Sequence, residues 1–290
     1  MARPLRLQVA GEFFHVLTRG NAQQPVFLDD VDRAAFLETL ETVVGAFGLR
    51  CHAYCLMGNH YHLLLQPSRS NISDALRHLN GVYGQAFNRR HRRVGHVFAG
   101  RFKSLLVGRD SYLLQVTKYI ALNPVRGRLV AAAEDWPWSH HRAMAGLASP
   151  RAFLTRHEIL RCFDTHSPAA AHEAYRDFVA SSHPEDKSIR AAVARGGVLG
   201  DQALVDRMAP TLDRFVDERE IPLRERLAHR PALATLFESP LDRSQRDERI
   251  RAAHQTHRYT VSELARHLHL GRSTVSRALA NHLPPSAPQE

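Results

Sequence analysis

The alternation of apolar and polar positions at the start of the chain predicts a strand followed by a helix. Residues 12–19, EFFHVLTR, are rich in the aromatic and β-branched side chains that strands favour. Asp29 and Asp30 stand where a helix N-cap would stand, and Gly48 would end that helix. Between them the apolar residues recur with a helical period, at Phe36, Leu37, Leu40, Val43, Val44 and Phe47.

Further along, the same pattern predicts a hairpin, a helix, a strand and another helix. Residues 49–56 and 60–66 form the two strands of the hairpin, around a tight Gly58-Asn59 turn. Ser73 caps a helix over residues 74–91, residues 102–107 form a strand, and Asp110 caps the helix SYLLQVTKYIALN. The order β-α-β-β-α-β-α, with hairpins between strands, favours an antiparallel sheet with helices packed on it.

The rest of the chain is predicted to be helical and to divide into further segments. Trp136-Pro137-Trp138 closes the first unit, which we assign to residues 1–147. Residues 148–245 form a helical connector, in which SHPEDKS at 182–188 has the composition of a linker. Residues 246–283 stand apart as a further domain, and the tail at 284–290 is expected to be disordered.

Composition narrows the class of protein. The 290 residues are 44% hydrophobic, enough for a buried core, and they carry a net charge of +10 with a pI near 10.1. Such a charge indicates a polyanionic partner, most often nucleic acid, although an Arg-rich proteome would produce the same excess. Three cysteines imply no disulfide framework, and no secretory signal or membrane span is recognisable. We therefore expect a cytoplasmic, nucleoid-associated protein with no membrane partner.

Two histidines in the second strand of the hairpin are candidate metal ligands. His60 and His62 flank Tyr61, and side chains two apart in a strand share one face. The two imidazoles could therefore bind one divalent ion, while Tyr61 packs on the other side. Because the chain has 19 histidines, a chance pair is the simpler interpretation of this motif taken alone.

Cys51 and Cys55 offer a second metal hypothesis, a structural zinc site shared with the histidines. Their spacing differs from that of the usual zinc motifs. The residues Cys51, Ala53, Cys55 and Met57 also alternate onto one predicted face, like an apolar stripe in a core. Unpaired cysteine is among the most buried residue types, so the core interpretation is favoured.

The last helix of the first unit carries a polar stripe beside its apolar face. The stripe consists of Tyr112, Gln115, Tyr119 and Asn123. Tyr119 and Asn123 lie one turn apart, which suits a tyrosine nucleophile beside a carboxamide metal ligand. An ordinary amphipathic helix would show the same stripe. Pro124 predicts that the helix ends or bends at Asn123.

An interval without acidic residues separates Asp74 from Asp110. It contains both cations and aromatic residues, namely Arg77, Arg89, Arg90, Arg92, Arg93, Arg101, Lys103 and Arg109, with Tyr83, Phe87, Phe98 and Phe102. Cations that follow a phosphate backbone and rings on which bases stack are typical of proteins that bind single-stranded nucleic acid. The aromatic residues would suit the core equally well.

Near its end the chain is predicted to form a helix-turn-helix. Thr260 and Glu263 form a capping box, and Gly271 supplies the turn between two short amphipathic helices. The second helix would present polar and basic side chains to a DNA groove, namely Arg272, Ser273, Thr274, Ser276 and Arg277. A helical hairpin without a DNA-binding role is the alternative.

Several segments together resemble the REP-associated tyrosine transposases, which are one-tyrosine HUH proteins similar to the single-strand insertion-sequence transposases. The resemblance rests on RGNAQQPVFLDDVDRAAFLETL, HAYCLMGNHYHLLLQP, YGQAFNRRHRRVGHVFAGRFKSLLV, KYIALNPVRGRLV and WPWS, in this order over roughly residues 4–145. It implies an α+β fold, with a ferredoxin-like antiparallel sheet and packed helices in the HUH domain. An all-α region that ends in a helix-turn-helix would follow, as in some members.

The resemblance also implies roles for individual residues. His60 and His62 correspond to the HUH pair, and Tyr119 corresponds to the nucleophile, with Tyr112 in reserve. Asn123 falls at the position of the third metal ligand, where relatives carry glutamine, a longer side chain. The DNA-binding candidates are Arg19, Arg89, Arg90, Arg92, Arg93, Arg101, Lys103, Arg272, Ser273, Thr274 and Arg277.

The implied activity is that of a transposase-type endonuclease and strand transferase that cuts hairpin-bearing single-stranded DNA, such as repetitive extragenic palindromes. Tyr119 would attack phosphorus to give a 5′-phosphotyrosine and a free 3′-hydroxyl, with Mg²⁺ or Mn²⁺ as cofactor. The second hypothesis is a catalytically retired, sequence-specific DNA-binding regulator. The expected partners are single-stranded DNA with hairpins and, through the helix-turn-helix, duplex DNA. A monomer and a homodimer are both compatible with the sequence.

Overall fold

In the computed structural model, a sheet lies between two layers of helices. The structure describes residues 8–163, 166–181, 189, 192, 197–208, 231–238, 241–255, 257 and 259–280. The strands are β1 (Phe13–Arg19), β2 (Leu49–Leu56), β3 (His60–Pro67), β4 (Lys103–Val107) and β5 (Gly197–Leu199). Their order across the sheet is β2-β3-β1-β4-β5, antiparallel except for the parallel pair of β4 and β5.

The helices follow the periodicity of the sequence closely in the first half of the chain. They are α1 (Asp30–Phe47), α2 (Ile72–Arg90), α3 (Ser111–Ala121), α4 (Asn123–Arg126), α5 (His141–Met144), α6 (His157–Leu160), α7 (Pro168–Ala180), α8 (Leu233–Leu236), α9 (Arg243–Gln255), α10 (Val261–His267) and α11 (Arg272–Ala280). Asp29 caps α1 by accepting from the Asp32 N–H at 3.0 Å, and Gly48 ends it with a φ of 62°. Asn71 is the N-cap of α2, two residues before the predicted Ser73.

The first face of the sheet is covered by α1 and α2. Both helices turn apolar residues towards it, namely Phe36, Leu37, Leu40, Leu76, Leu79 and Tyr83, which pack on Phe14, Val16, Leu63 and Leu65 of the strands. Burying one such side chain contributes about 1.5–3 kcal/mol relative to leaving it in water. This core therefore fixes the strands whose other face carries the candidate chemistry.

The second face of the sheet is covered by α3 and α7. Their buried residues are Leu113, Val116, Ile120, Tyr175 and Val179, which join Phe13, Leu64, Leu105 and Val107 of the strands in a second core. α7 belongs to the segment predicted as a connector, and it packs on the same core as α3. The boundaries predicted at residues 147 and 245 remain predictions.

The predicted α+β fold class is confirmed, with one addition. Residues 197–199, which fall in the region predicted to be all-α, form β5 and pair with residues 105–107 of β4. They cover backbone groups that β4 would otherwise leave unpaired at its outer side, which explains their extended conformation. The predicted linker at 182–188 and the predicted tail at 284–290 lie outside the described residues.

The contacts within the chain divide it into two compact units, Met1–Ile221 and Pro222–Glu290. In the second unit, α9, α10 and α11 pack around a small core of their own, formed by Ile250, Ala253, Tyr259, Leu264, Ala265, Val275 and Ala278. Among the described residues of either unit, no helix is long and apolar enough to cross a membrane.

Candidate active site

Two histidines on β3 share one side of the sheet, as their spacing predicts. The ring centroids of His60 and His62 lie 5.1 Å apart. Tyr61 lies on the opposite face, where it is fully buried and its hydroxyl donates to Asn80 Oδ1 at 2.6 Å. The alternation of the strand therefore separates the two imidazoles from the tyrosine between them.

The turn that precedes His60 is fixed by the loop after β1. The Gly20 N–H donates to Asn59 O at 2.8 Å, and Asn59 Nδ2 donates to Gln23 O at 3.2 Å. Residue 20 has to be glycine, because a Cβ there would lie 2.0 Å from Gln24 O. These bonds hold the start of β3, and so His60, in one position.

Burial keeps both imidazoles neutral. Burial, together with a smaller effect of the Arg19 guanidinium, lowers the pKa of His60 to about 4. The pKa of His62 lies well below its usual value, because of burial first and then the nearby His15, His60, Arg19 and Arg126. Neutral imidazole is the form that binds a metal ion, so both side chains are ready to act as ligands.

The hydrogen bonds of the two rings leave one nitrogen of each available. Nδ1 of His60 lies 2.7 Å from Asn59 Oδ1, an acceptor, and therefore carries the proton of that ring. Nδ1 of His62 lies 2.9 Å from Nε2 of His15. Nε2 of His62 is buried and has no hydrogen-bond partner among the residues that the structure describes. An orphaned buried nitrogen of this kind fits a metal ligand.

Tyr119 extends from α3 towards this pair. Its ring stands edge-on to the rings of both His62 and His15, with 5.8 Å between centroids in each case. The Arg126 guanidinium carbon lies 5.0 Å from the centroid of the Tyr119 ring, and Nη1 of Arg126 donates to Tyr119 O at 2.9 Å. Tyr112, the reserve candidate, is half-buried against the second core. The structure thus brings Tyr119 into contact with the histidines.

Asn123 lies one turn after Tyr119, beyond the end of α3 at Ala121. The chain bends there, as Pro124 predicts, and a separate turn, α4, begins. Nδ2 of Asn123 donates to Tyr119 O at 2.8 Å, which leaves Oδ1 as the atom that could bind a metal ion. With the two neutral imidazole nitrogens, a carboxamide oxygen would complete a mixed donor set of the kind that divalent ions accept. The role of Asn123 as the third ligand remains a prediction.

The alternative zinc site is not formed. Among the described residues, no three His, Cys, Asp or Glu side chains lie close enough to hold a metal ion together. Burial raises the pKa of Cys51 to about 12 and also raises that of Cys55, so both cysteines remain thiols. The interpretation of the two cysteines as core residues is confirmed.

A β-bulge in β2 separates these cysteines. The register between β2 and β3 shifts between Cys51 and Ala53, so His52 is an extra residue in β2. Cys51 consequently packs in the first core, whereas Ala53 and Cys55 pack in the second. The predicted single stripe is wrong at Cys51, because one inserted residue reverses the alternation.

Most of the predicted DNA-binding cations of the first unit are exposed, namely Arg19, Arg89, Arg92, Arg101 and Lys103. Arg19 ends β1 directly opposite His60, which places a cation beside the candidate metal site. Arg93 is half-buried. Its guanidinium carbon lies 5.5 Å from the centroid of the Phe87 ring, and its Nη2 donates to Gln24 Oε1. The contact of these cations with DNA remains a prediction.

Arg90 has a structural role that the sequence did not reveal. Its Nη2 lies 2.6 Å from Asp29 Oδ2 and its Nη1 lies 2.5 Å from Asp32 Oδ1. Nε2 of His91 also contacts the buried Asp32 carboxylate at 2.9 Å. The end of α2 is thereby tied to the start of α1, and we leave Arg90 out of the proposed DNA contacts.

The aromatic residues of the interval between Asp74 and Asp110 belong to the core. Tyr83, Phe87, Phe98 and Phe102 are all buried, with at most 8% of the side chain exposed, and they pack in the first core. The hypothesis that bases stack on these four rings is therefore wrong, because the rings pack against the sheet. Among the cations between them, Arg89, Arg92 and Arg101 are exposed.

The second unit contains the two predicted helices near residue 271. Thr260 caps α10, since the Glu263 N–H donates to Thr260 Oγ1 at 3.2 Å and the Thr260 N–H donates to Glu263 Oε2 at 2.8 Å. Arg272, Ser273 and Arg277 of α11 are exposed, Thr274 is half-buried, and Arg272 also donates to Ser262 Oγ. A DNA-binding role for this face is a proposal.

Three residues of the site were missed in the sequence. His15 and Asn59 contact the histidine pair, and Arg126 contacts Tyr119. A signal existed for His15, a lone polar residue between Phe14 and Val16 in a predicted strand. Asn59 and Arg126 are common residue types in a turn and after a helix, so no pattern marked them.

Comparisons with known proteins found a family model and a solved structure that are similar to part of this chain. A family model described as "Transposase IS200 like" matches residues 9–123, a range that begins before β1 and ends at Asn123. A solved structure entitled "Structure of the REP associates tyrosine transposase bound to a REP hairpin" is similar at 17% identity, covers 54% of this chain and 98% of its own, and has a TM-score of 0.43. No curated protein matches the chain. The part of the chain that matches the IS200-like transposase model therefore includes the histidine pair and Tyr119.

Proposed function

We propose that this protein is a metal-dependent single-strand DNA endonuclease and strand transferase with Tyr119 as its nucleophile. The observation that carries this proposal is the ring contact between Tyr119 and His62, whose buried Nε2 has no hydrogen-bond partner in the described part of the chain. A candidate nucleophile and a candidate ligand therefore lie side by side on one face of the sheet. Phosphoryl transfer to a tyrosine needs both.

The proposed reaction transfers the 5′ phosphate of the strand in two steps, first to Tyr119 and then to a 3′-hydroxyl. The Tyr119 hydroxyl oxygen attacks the scissile phosphorus, the bond from phosphorus to the 3′ oxygen breaks, and that oxygen leaves as a hydroxyl carrying the proton that the tyrosine lost. The 5′ phosphate stays on Tyr119 as a phosphotyrosine. A 3′-hydroxyl can then attack the same phosphorus and return a proton to the tyrosine. Because one phosphodiester replaces another, no nucleoside triphosphate is required.

The residues of the site divide the remaining tasks. His60, His62 and Asn123 would hold Mg²⁺ or Mn²⁺ through two ring nitrogens and a carboxamide oxygen. When bound, such an ion polarises the scissile phosphate and offsets the charge of the transition state. Arg126 supports the chemistry, since a cation 5.0 Å from the Tyr119 ring stabilises the phenolate that leaves when the strand is rejoined.

The proposed substrate is single-stranded DNA that carries a short hairpin. The resemblance to REP-associated tyrosine transposases suggests this class, and the net charge of +10 suits a polyanion. The cations proposed to contact its backbone are Arg19, Arg89, Arg92, Arg93, Arg101 and Lys103. Arg19 is the one nearest to the histidines in register, so we place the scissile phosphate beside it.

The test is a denaturing gel of the full chain with labelled, hairpin-bearing single-stranded DNA and Mn²⁺. We expect a slowly migrating covalent adduct with the wild-type protein and none with Tyr119→Phe, while both proteins retain DNA binding. Tyr112→Phe is the matched control, and it should form the adduct normally. An adduct that persists in Tyr119→Phe would refute the assignment of the nucleophile.

A DNA-binding regulator without catalytic activity is the second candidate, and the exposed polar face of α11 favours it. Arg272, Ser273, Thr274 and Arg277 would contact duplex DNA through this face. Tight duplex binding that is lost in Arg277→Ala, together with no adduct across several hairpins, would favour this function. Duplex binding together with adduct formation would instead make the second unit a targeting module of the transferase.

A further inference from the structure

A third histidine lies against the pair on β3. His15 of β1 is opposite Leu64 of β3, two residues along from His62 and on the same face of the sheet. The planes of the His15 and His62 rings lie at 7° to each other, with centroids 5.1 Å apart, so the two rings meet edge to edge. Nε2 of His15 lies 2.9 Å from Nδ1 of His62, and each side chain is 2% exposed.

One proton must lie between these two nitrogens, and the surroundings decide which ring supplies it. A neutral His62 carries its proton either on Nε2 or on Nδ1. A proton on Nε2 would leave a buried N–H group without an acceptor among the described residues, which is unfavourable. A proton on Nδ1 is donated to Nε2 of His15, and the lone pair of His62 Nε2 is then available.

We propose that His15 is a positioning residue, which accepts the Nδ1 proton of His62 and so holds the Nε2 lone pair of His62 towards the metal ion. This inference rests on the metal-binding role of His62 in the proposed function. His15 acts through His62 and is not itself a ligand in the proposal. Such partners of metal-binding histidines fix both the tautomer and the orientation of the ring.

His60 shows the same arrangement with a different partner. Its Nδ1 donates to Asn59 Oδ1 at 2.7 Å, so both imidazoles of the pair have an acceptor at Nδ1. The two acceptors come from different places in the fold, a strand and a turn. In both rings Nε2 is therefore the nitrogen without a proton. Its lone pair could bind a metal ion, and two such nitrogens could bind the same ion.

The test measures Mn²⁺ binding to the full chain by calorimetry, without DNA. His15→Phe keeps the ring but removes the acceptor, whereas His15→Gln places an amide oxygen near the position of Nε2. We expect His15→Phe to weaken Mn²⁺ binding by about 10- to 100-fold, the usual effect of losing such a partner. We expect His15→Gln to recover most of the affinity. Mn²⁺ affinity of His15→Phe equal to that of the wild type would overturn the proposal.

His62→Ala separates this proposal from the one on which it rests. If His62→Ala abolishes Mn²⁺ binding and His15→Phe does not weaken it, the metal site stands and the role of His15 is refuted. If His62→Ala binds Mn²⁺ like the wild type, the metal site itself is refuted, and the role of His15 with it.

A second measurement decides the matter even if His15→Phe does not fold. Nitrogen-15 shifts of the histidine rings in the metal-free wild-type protein distinguish a protonated Nδ1 from a protonated Nε2. We expect His62 to carry its proton on Nδ1. A proton on Nε2 of His62 would overturn the proposal without any substitution.

Discussion

The ring of Tyr119 stands edge-on to the ring of His62, with 5.8 Å between centroids and 84° between planes. Tyr119 comes from α3 and His62 from β3, and both belong to the same chain. The contact is held by packing, because Val116 and Ile120 of α3 are buried against the face of the sheet that carries His62. This contact predicts that the proposed nucleophile and the proposed metal ligands of one reaction come from the same molecule.

Action within one molecule can be tested by mixing two inactive variants. Tyr119→Phe lacks the nucleophile and His62→Ala lacks a ligand, so each should form no adduct alone. We expect an equimolar mixture to form none either, because no molecule in it contains both groups. Adduct formation restored to a substantial fraction of the wild-type level would mean that two chains exchange parts. A mixture of wild-type protein and Tyr119→Phe serves as the control for inhibition.

Tyr61 provides a contrast with Tyr119, because it lies between the two histidines but on the opposite face. Burial raises its pKa, and its hydroxyl donates to Asn80 Oδ1 at 2.6 Å. We expect Tyr61→Phe to lower the free energy of unfolding by about 0.5–1.5 kcal/mol, since it removes the hydrogen bond to the half-buried Asn80. Urea titration measures this loss. Adduct formation below the unfolding transition should be unchanged, and its loss would implicate Tyr61 in the chemistry.

Acid should destabilise the first unit through its buried histidines, and His140 is the clearest case. Burial lowers its pKa from 6.5 to about 3. Below pH 6.5 the unfolded chain binds a proton that the folded chain does not, so the free energy of unfolding falls as the pH falls towards 3. The slope for this one group is about 1.4 kcal/mol per pH unit. Urea titrations at pH 5, 6 and 7 measure it.

His140→Gln isolates this contribution from that of the other histidines. The variant should lose stability at pH 7, because Nδ1 of His140 is bonded to Tyr54 O at 2.9 Å in a buried site. Between pH 5 and 6 its stability should depend on pH less steeply than that of the wild type. Equal slopes for both proteins would show that His140 does not remain neutral in the folded state.

Arg19 should contribute to DNA binding, whereas Arg90 should contribute to the stability of the fold. Arg19 is exposed beside His60, whereas Arg90 is paired with Asp29 and Asp32. We expect Arg19→Ala to weaken binding of single-stranded DNA and to reduce the slope of log affinity against log salt by about 1. Arg90→Ala should lower the melting temperature while leaving that slope nearly unchanged. The opposite pattern would reverse the two assignments.

The local structure was largely predictable because local signals determine it. The helical period of α1, its Asp29 cap and Gly48 all act within a few residues, and they gave its bounds to within one residue. The spacing of His60 and His62 in a strand likewise places both on one face without any knowledge of the fold. The sequence therefore marked His60 and His62 as candidates from their own strand, although the signal at His15 was missed.

Contacts between distant elements were not predictable in the same way. The bulge at His52, which reverses the side on which Cys51 lies, is set by pairing with β3 and leaves no mark on the alternation of residue types. β5 is a strand because β4 offers it backbone partners, although a helical segment was predicted there. Arg90 pairs with Asp29 and Asp32 across some sixty positions of sequence.

The sequence by itself determined the helices and strands up to α3, the histidine pair and the candidate tyrosine, since periodicity, caps and motif spacing act over a few residues. Only the tertiary structure decided that Tyr119 meets His62 and that His15 lies at Nδ1 of His62. It also decided that the aromatic residues between Asp74 and Asp110 are buried. The physical reason is that these relationships depend on which surfaces exclude water together, and packing of the whole chain settles that.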